Sequence, residues 1–185
     1  MRRCPMYCVP IPTFRILAAI IPLQFASMLG FACHAILPPA TPAPTEQADH
    51  IVVTKSTHTL VLYSHGTVLR TYKVALGRAS GAKKEQGDNR TPEGHYRIDA
   101  HNPHSSCHLA LHISYPSAED RAKAAAAHQP PGGDVEIHGL PNGFGYLGAL
   151  HRATDWTYGC IAVTDAEMDE IYRLVPNNTP IDIQP

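Results

Sequence analysis

The chain is expected to fold as a mainly β domain with two short α-helices, as a β-sandwich or a partly closed barrel. Three observations carry that expectation. Short runs rich in β-branched and aromatic residues recur from Ile51 onward. Gly, Pro, Asn and His punctuate them, as turns do. The helical stretches are short, and each opens on a Ser or Thr followed three residues later by an acid.

Taken in order, Ile51-Val52-Val53 and Thr59 to Tyr63 read as strands, with Ser64-His65-Gly66 as a turn and Thr67 to Ala75 returning as a third strand. Gly77 to Arg90 is a polar Gly/Lys loop. Gly94 to Ala100 and Leu109 to Ser114 read as further strands. Val135 to His138 is a short strand bounded by Pro131-Gly132-Gly133 and Gly139. Ser117 and Asp120 open an Ala-rich helix to Ala127. Thr164 and Glu167 form a fuller capping box for a helix to about Leu174, which Pro176 stops. Pro180 to Ile183 is a last short strand.

The organisation expected is a signal peptide or N-terminal anchor over 1–35, a Pro-rich linker over 36–48 and one domain over 49–185. Arg2, Arg3 and Arg15 precede an apolar run from Ile16 to Ala32, and small residues follow it, the pattern of a secretory signal. The run is short for a membrane span, which needs roughly 20 apolar residues; an uncleaved anchor is the alternative. LPPATPAPT at 37–45 can build neither a ladder nor a helix interior and reads as a stiff spacer. Net charge is −1, from 15 Lys+Arg and 16 Asp+Glu, with no sign of the basic patch that nucleic-acid binding requires. Hydrophobic residues at 44% argue for a folded core over a disordered chain. Export to a periplasm or cell envelope follows, with membrane contact only through the N-terminal segment.

Export also governs the cysteines. Of five, Cys4, Cys8 and Cys33 lie in or beside the signal, leaving Cys107 and Cys160. A disulfide between these two is the plain reading in an oxidising compartment; a redox guard over a reactive thiol is another. The segment Asp155-Trp156-Thr157-Tyr158-Gly159-Cys160 is the strongest site signal. Cys160 follows a glycine, which permits close approach of backbone or ligand. It also lies four residues before the N-cap Thr164, where positive potential would favour thiolate. His138, at a strand end before Gly139, is the best-placed base. Composition alone does not select that pair from five cysteines and twelve histidines.

A resemblance does. Ile137-His138-Gly139 followed by Thr157-Tyr158-Gly159-Cys160-Ile161 resembles the signature of the L,D-transpeptidase catalytic domain (YkuD type). Val74-Ala75-Leu76-Gly77 is similar to that family's strand ending in Gly, and Arg90-Thr91-Pro92-Glu93-Gly94-His95-Tyr96 to its Thr-Pro-x-Gly-aromatic turn. Leu111 to Pro116 and Ile137 to Gly143 resemble a murein-enzyme branch. The likeness spans nearly all of 50–184 and is specific as a set, though each piece alone is weak.

The resemblance implies a β-sandwich or half-barrel of the YkuD type and no metal or organic cofactor. It implies Cys160 as nucleophile, His138 as base and Gly159 among the backbone around a developing oxyanion. The substrate implied is the peptidoglycan stem peptide, cut through a thioester and passed to an amine in wall biogenesis and cell shape. Thr157, Tyr158, Gly139, Trp156 and His151 are the implied supporting residues. Three departures stand out: Tyr158 where the family has His, Ala162 where it has Asn or Arg, and a longer gap after His138. His151 in the enlarged loop is a candidate for the missing imidazole. These departures leave hydrolysis open, including release of a wall-linked lipoprotein, and a non-catalytic wall-binding module is the third reading. His104, His108 and His112 could line one helix face for zinc. Pro103 and the β-rich run that follows argue for a strand instead, where residues four apart lie roughly 13 Å from one another. His112 then reads as a wall of the site or a satisfied core histidine. Arg78, Lys83 and Lys84 read as a solvated loop that could meet stem-peptide carboxylates.

Overall fold

A computed structural model describes residues 46–185. The signal expected over 1–35, and the linker expected over 36–48 as far as residue 45, lie outside the described residues.

Eight strands form one continuous sheet in the order β3-β2-β1-β8-β4-β5-β6-β7. They are β1 His50–Thr54, β2 Thr59–Ser64, β3 Thr67–Lys73, β4 Gly94–Asn102, β5 Ala110–Ile113, β6 Glu136–His138, β7 Ile161–Ala162 and β8 Pro180–Gln184. Of the two architectures expected, this is the curled half-barrel. Two register shifts, at Leu62/Tyr63 against β3 and at Ile98/Ala100 against β5, supply local bends.

The first strands form as their alternation demands. Ile51 and Val53 of β1 and Leu60 and Leu62 of β2 all point into the core. The last strand is central: β8 pairs parallel with β1 and antiparallel with β4. Helix α2 (Asp165–Leu174) lies against β5 and β6 with Met168, Ile171 and Leu174 buried. Its capping box is complete: Thr164 Oγ1 accepts from the Glu167 N–H, and the Glu167 carboxylate accepts from the Thr164 N–H. Helix α1 (Ala118–Ala126) has the same box built from Ser117 and Asp120, and buries only Ala124.

Two elements lack any early signal. Gly145–Ala153 is a 3₁₀ segment, broken at Gly148 with φ 47°, and Ile161–Ala162 is a two-residue strand. A single 3₁₀ turn has no apolar period to read, and two residues are too few to show alternation.

Candidate active site

The short end of the sheet gathers the chemistry. β6 and β7 run parallel with Ile137 opposite Ile161 and His138 opposite Ala162. Cys160 therefore enters the sheet two residues before the partner of His138. The turn delivering it is built from its own side chains: Thr157, almost fully buried, donates from Oγ1 to the Cys160 carbonyl (2.8 Å) and accepts from the Gly159 N–H (3.1 Å). Gly159 has φ +130°, and a Cβ there would sit 2.7 Å from the Arg90 carbonyl oxygen, so only glycine passes. Because the Gly159 N–H is already bonded, the neighbouring amides of Tyr158 and Cys160 are the better candidates to face a substrate oxygen.

His138 is 5% exposed. Its Nδ1 lies 2.6 Å from the Gly139 carbonyl oxygen. A carbonyl only accepts, so Nδ1 carries the proton and the neutral ring keeps its lone pair on Nε2. Burial lowers the His138 pKa below the usual histidine value, partly offset by that Gly139 bond, so the ring is neutral at neutral pH. His151 has the opposite tautomer. The Trp156 Nε1–H donates to its Nδ1 (3.3 Å), which leaves the proton on Nε2, and that Nε2 is buried with no protein partner. Burial, with Arg152 nearby, also lowers the His151 pKa. The Trp156 ring stands edge-on to both imidazoles, 5.8 Å from His138 and 6.3 Å from His151. One indole thus spaces a lone pair and a donor.

Cys160 departs from expectation. Burial pushes its thiol up to about 11, although the Glu136 N–H pulls the other way. The first turn of α2 is already capped by Thr164 and Glu167. The sulfur donates to the Asp134 carbonyl (3.6 Å), and among the described residues no hydrogen bond joins it to His138. The resting pair is thus neutral thiol and neutral imidazole. Cys107 is a second free thiol, also pushed up by burial.

The wall carrying His151 is pinned to α2. Asp165 Oδ1 accepts from the Leu140 N–H (2.7 Å), and its carboxylate occupies the space that a Cβ at Gly139 or Gly145 would need. Arg152 pairs with Glu167. Opposite, the Asp155 carboxylate accepts from the Leu76 N–H (2.8 Å) and contacts His58. The contacts of Asp165 and Asp155 carry no signal in the sequence, because nothing local marks a carboxylate whose partners lie so far along the chain.

Tyr158 is 72% exposed, so it lines the mouth of the site and not its interior. The histidine cluster is dispersed: the His104 N–H donates to Asn102, His108 bonds Asp169 and His112 bonds Asp99. Among the described residues no His/Cys/Asp/Glu group could hold a metal. A cleft of about 460 Å³ lined by Lys55, His58, Leu76, Arg78, Thr91 and Asp155 touches neither Cys160 nor His138. Lys55 is already saturated there by Glu93 and two carbonyls, so the thiol and imidazoles mark the site better than that cleft.

Residues 48–183 match the YkuD family, the L,D-transpeptidase catalytic domain. Over 167 residues the chain is 30% identical to "Putative L,D-transpeptidase YafK" of Escherichia coli K12, covering 83% of this chain and 58% of that protein. Pgp2, a helical cell shape determining protein of Campylobacter jejuni, shares the fold with TM-score 0.58 at 22% identity, over 75% of this chain and 48% of its own. An L,D-transpeptidase from Mycobacterium smegmatis does so with TM-score 0.51 at 18% identity, over 75% of this chain and 59% of its own. The chain thus spans little more than half the length of the curated relative.

Proposed function

Because the chain belongs to the YkuD L,D-transpeptidase catalytic domain family, which acts on peptidoglycan stem peptides, we propose that it is an exported cysteine acyltransferase of the cell envelope. The observation that carries this reading is the pairing of β6 with β7, which brings Cys160 to the strand that ends in His138.

Nε2 of His138 takes the Cys160 thiol proton as the sulfur swings off the Asp134 carbonyl and attacks the scissile amide carbonyl. The Tyr158 and Cys160 amides and the Nε2–H of His151 donate to the oxyanion. Collapse breaks the C–N bond, and His138 returns its proton to the departing amine, leaving a thioester. An acceptor amine then attacks the thioester. His138 removes a proton from that amine, and the thiol is regenerated. The high thiol pKa fits this order: a neutral thiol needs its base in the same step, so attack waits for bound substrate. Cross-links to a second stem, or attachment of a protein to the wall, are the products proposed, and the N-terminal segment is the proposed membrane contact.

The test is incubation of the purified protein with stem-tetrapeptide muropeptides, followed by mass spectrometry. Dimers joined through diamino acids, absent with Cys160→Ala, are expected. Shortened monomers without dimers would replace transfer by hydrolysis. An unchanged substrate, with no covalent adduct on Cys160, would leave a wall-binding module.

A further inference from the structure

Arg78 lies in the loop after β3, far from Cys160 in sequence, yet its side chain is laid along the nucleophile segment. Its N–H donates to the Thr157 carbonyl (3.1 Å), its Nε donates to the Trp156 carbonyl (3.0 Å), and its guanidinium carbon stands 4.5 Å from the centre of the Tyr158 ring. Holding a long exposed side chain in one arrangement costs rotamer entropy. A cation fixed in this way is pre-organised; a solvated loop arginine is not.

Its terminal nitrogens remain uncommitted. Among the described residues Arg70 and Arg152 have carboxylate partners, whereas Arg78 forms no ion pair. Arg90 lies beside it: its carbonyl packs on Gly159, and its Nε is buried without a partner. The loop that carries both is rigid. Lys83 and Asp88 form a nearly buried ion pair at 2.8 Å, and Asp88 also accepts from the N–H groups of Lys84, Glu85 and Arg90.

Distance suits a substrate contact. Tyr158 and Cys160 are two residues apart, so their Cα atoms lie at most about 7 Å from each other. A carboxylate one residue beyond the scissile carbonyl lies on that same scale from the bond that is cut. Guanidinium matches carboxylate as a bidentate donor.

We propose that Arg78, clamped on Trp156 and Tyr158, is a specificity residue that receives a carboxylate of the acyl donor within one residue of the bond that is cut. The proposal rests on the acyl-donor reading above.

The experiment measures binding to the full chain carrying Cys160→Ala, so that no turnover intervenes. The probes are a stem tetrapeptide with a free terminal carboxylate, its terminal amide, and a third form with only the internal carboxylates amidated. In the Arg78 background the terminal amide should bind about tenfold more weakly than the acid, the scale of a charge-assisted hydrogen bond. Arg78→Gln should erase that difference, and Arg78→Lys should restore part of it. Loss of preference with the internally amidated form alone would move the contact to an internal carboxylate of the same donor. A merely structural Arg78 would weaken acid and amide alike on Arg78→Gln, and that result overturns the proposal. Binding of none of the three to the parent overturns it together with the acyl-donor reading, whereas binding indifferent to Arg78 leaves that reading standing.

Discussion

The two sides of the sheet are built by different rules, the long strands β2, β1 and β8 on one side and the short pair β6 and β7 on the other. β1, β2 and β8 are five or six residues long, alternate buried and part-exposed positions, and hold Ile51, Val53, Leu60, Leu62 and Ile181 at zero exposure. β6 and β7 have three and two residues, with little alternation to show. Yet this short end carries His138 and delivers Cys160. Its order comes from side-chain hydrogen bonds: Thr157 on Cys160 and Gly159, Asp165 on Leu140, Trp156 on His151. The long end is stable through apolar area. The short end is positioned by polar pins, which specify geometry while adding little net stability each.

That contrast can be broken in three places. The largest effect is expected at His138. His138→Gln should lower turnover of stem peptides about 10²–10⁴-fold, the range of a lost general base, with melting temperature nearly unchanged. In the parent the acid limb of the rate profile should fall below the ordinary histidine value, because burial lowers the His138 pKa and only the neutral ring acts as base. A loss of cooperative folding, or an acid limb above 6.5, would contradict the division.

Leu62→Ala at the long end should do the reverse. Deleting a fully buried leucine should cost about 2–5 kcal/mol in chemical denaturation and leave turnover per folded molecule within about twofold. Equal loss of turnover would mean that the two ends are coupled.

The smallest effect sharpens the role of the 77–90 loop. Burial alone would raise the Asp88 pKa, but bonds from Lys83 and from the Lys84, Arg90 and Glu85 amides outweigh it and hold the carboxyl at about 2, against 3.8 unperturbed. A folded value depressed in this way contributes stability that is fully present above 3.8 and is lost as pH falls through about 2. The gap corresponds to about 2 kcal/mol. Asp88→Asn should remove that acid-dependent portion in urea titrations between pH 5 and pH 2. An unchanged pH slope would show that the loop is held by something else.

Much of this was legible beforehand, and the physical reasons are local. Capping boxes at Ser117 and Thr164 mark helix starts because the side chains that satisfy the orphan amides are adjacent in sequence. The alternation of β1 and β2 reports a buried face directly. Cys160, Gly159 and His138 stood out because turn and nucleophile share one short segment and because the family signature links the two halves. The Cys160 thiol, expected to favour thiolate from a nearby helix start, is instead pushed up by burial. Desolvation is a sum over neighbours from many parts of the chain, and no spacing along it reports that sum.

From residue order follow most of the strands, the helix boundaries, the candidate pair and the glycine beside the nucleophile. The fold alone decided that β8 lies between β1 and β4, that Trp156 fixes His151 in the tautomer opposite to that of His138, and that Arg78 lies against Tyr158. Local preferences act over three or four residues and can be read in one dimension. Proton positions, burial and long-range pins depend on which distant groups packing brings within a hydrogen-bond length, and that is set in three.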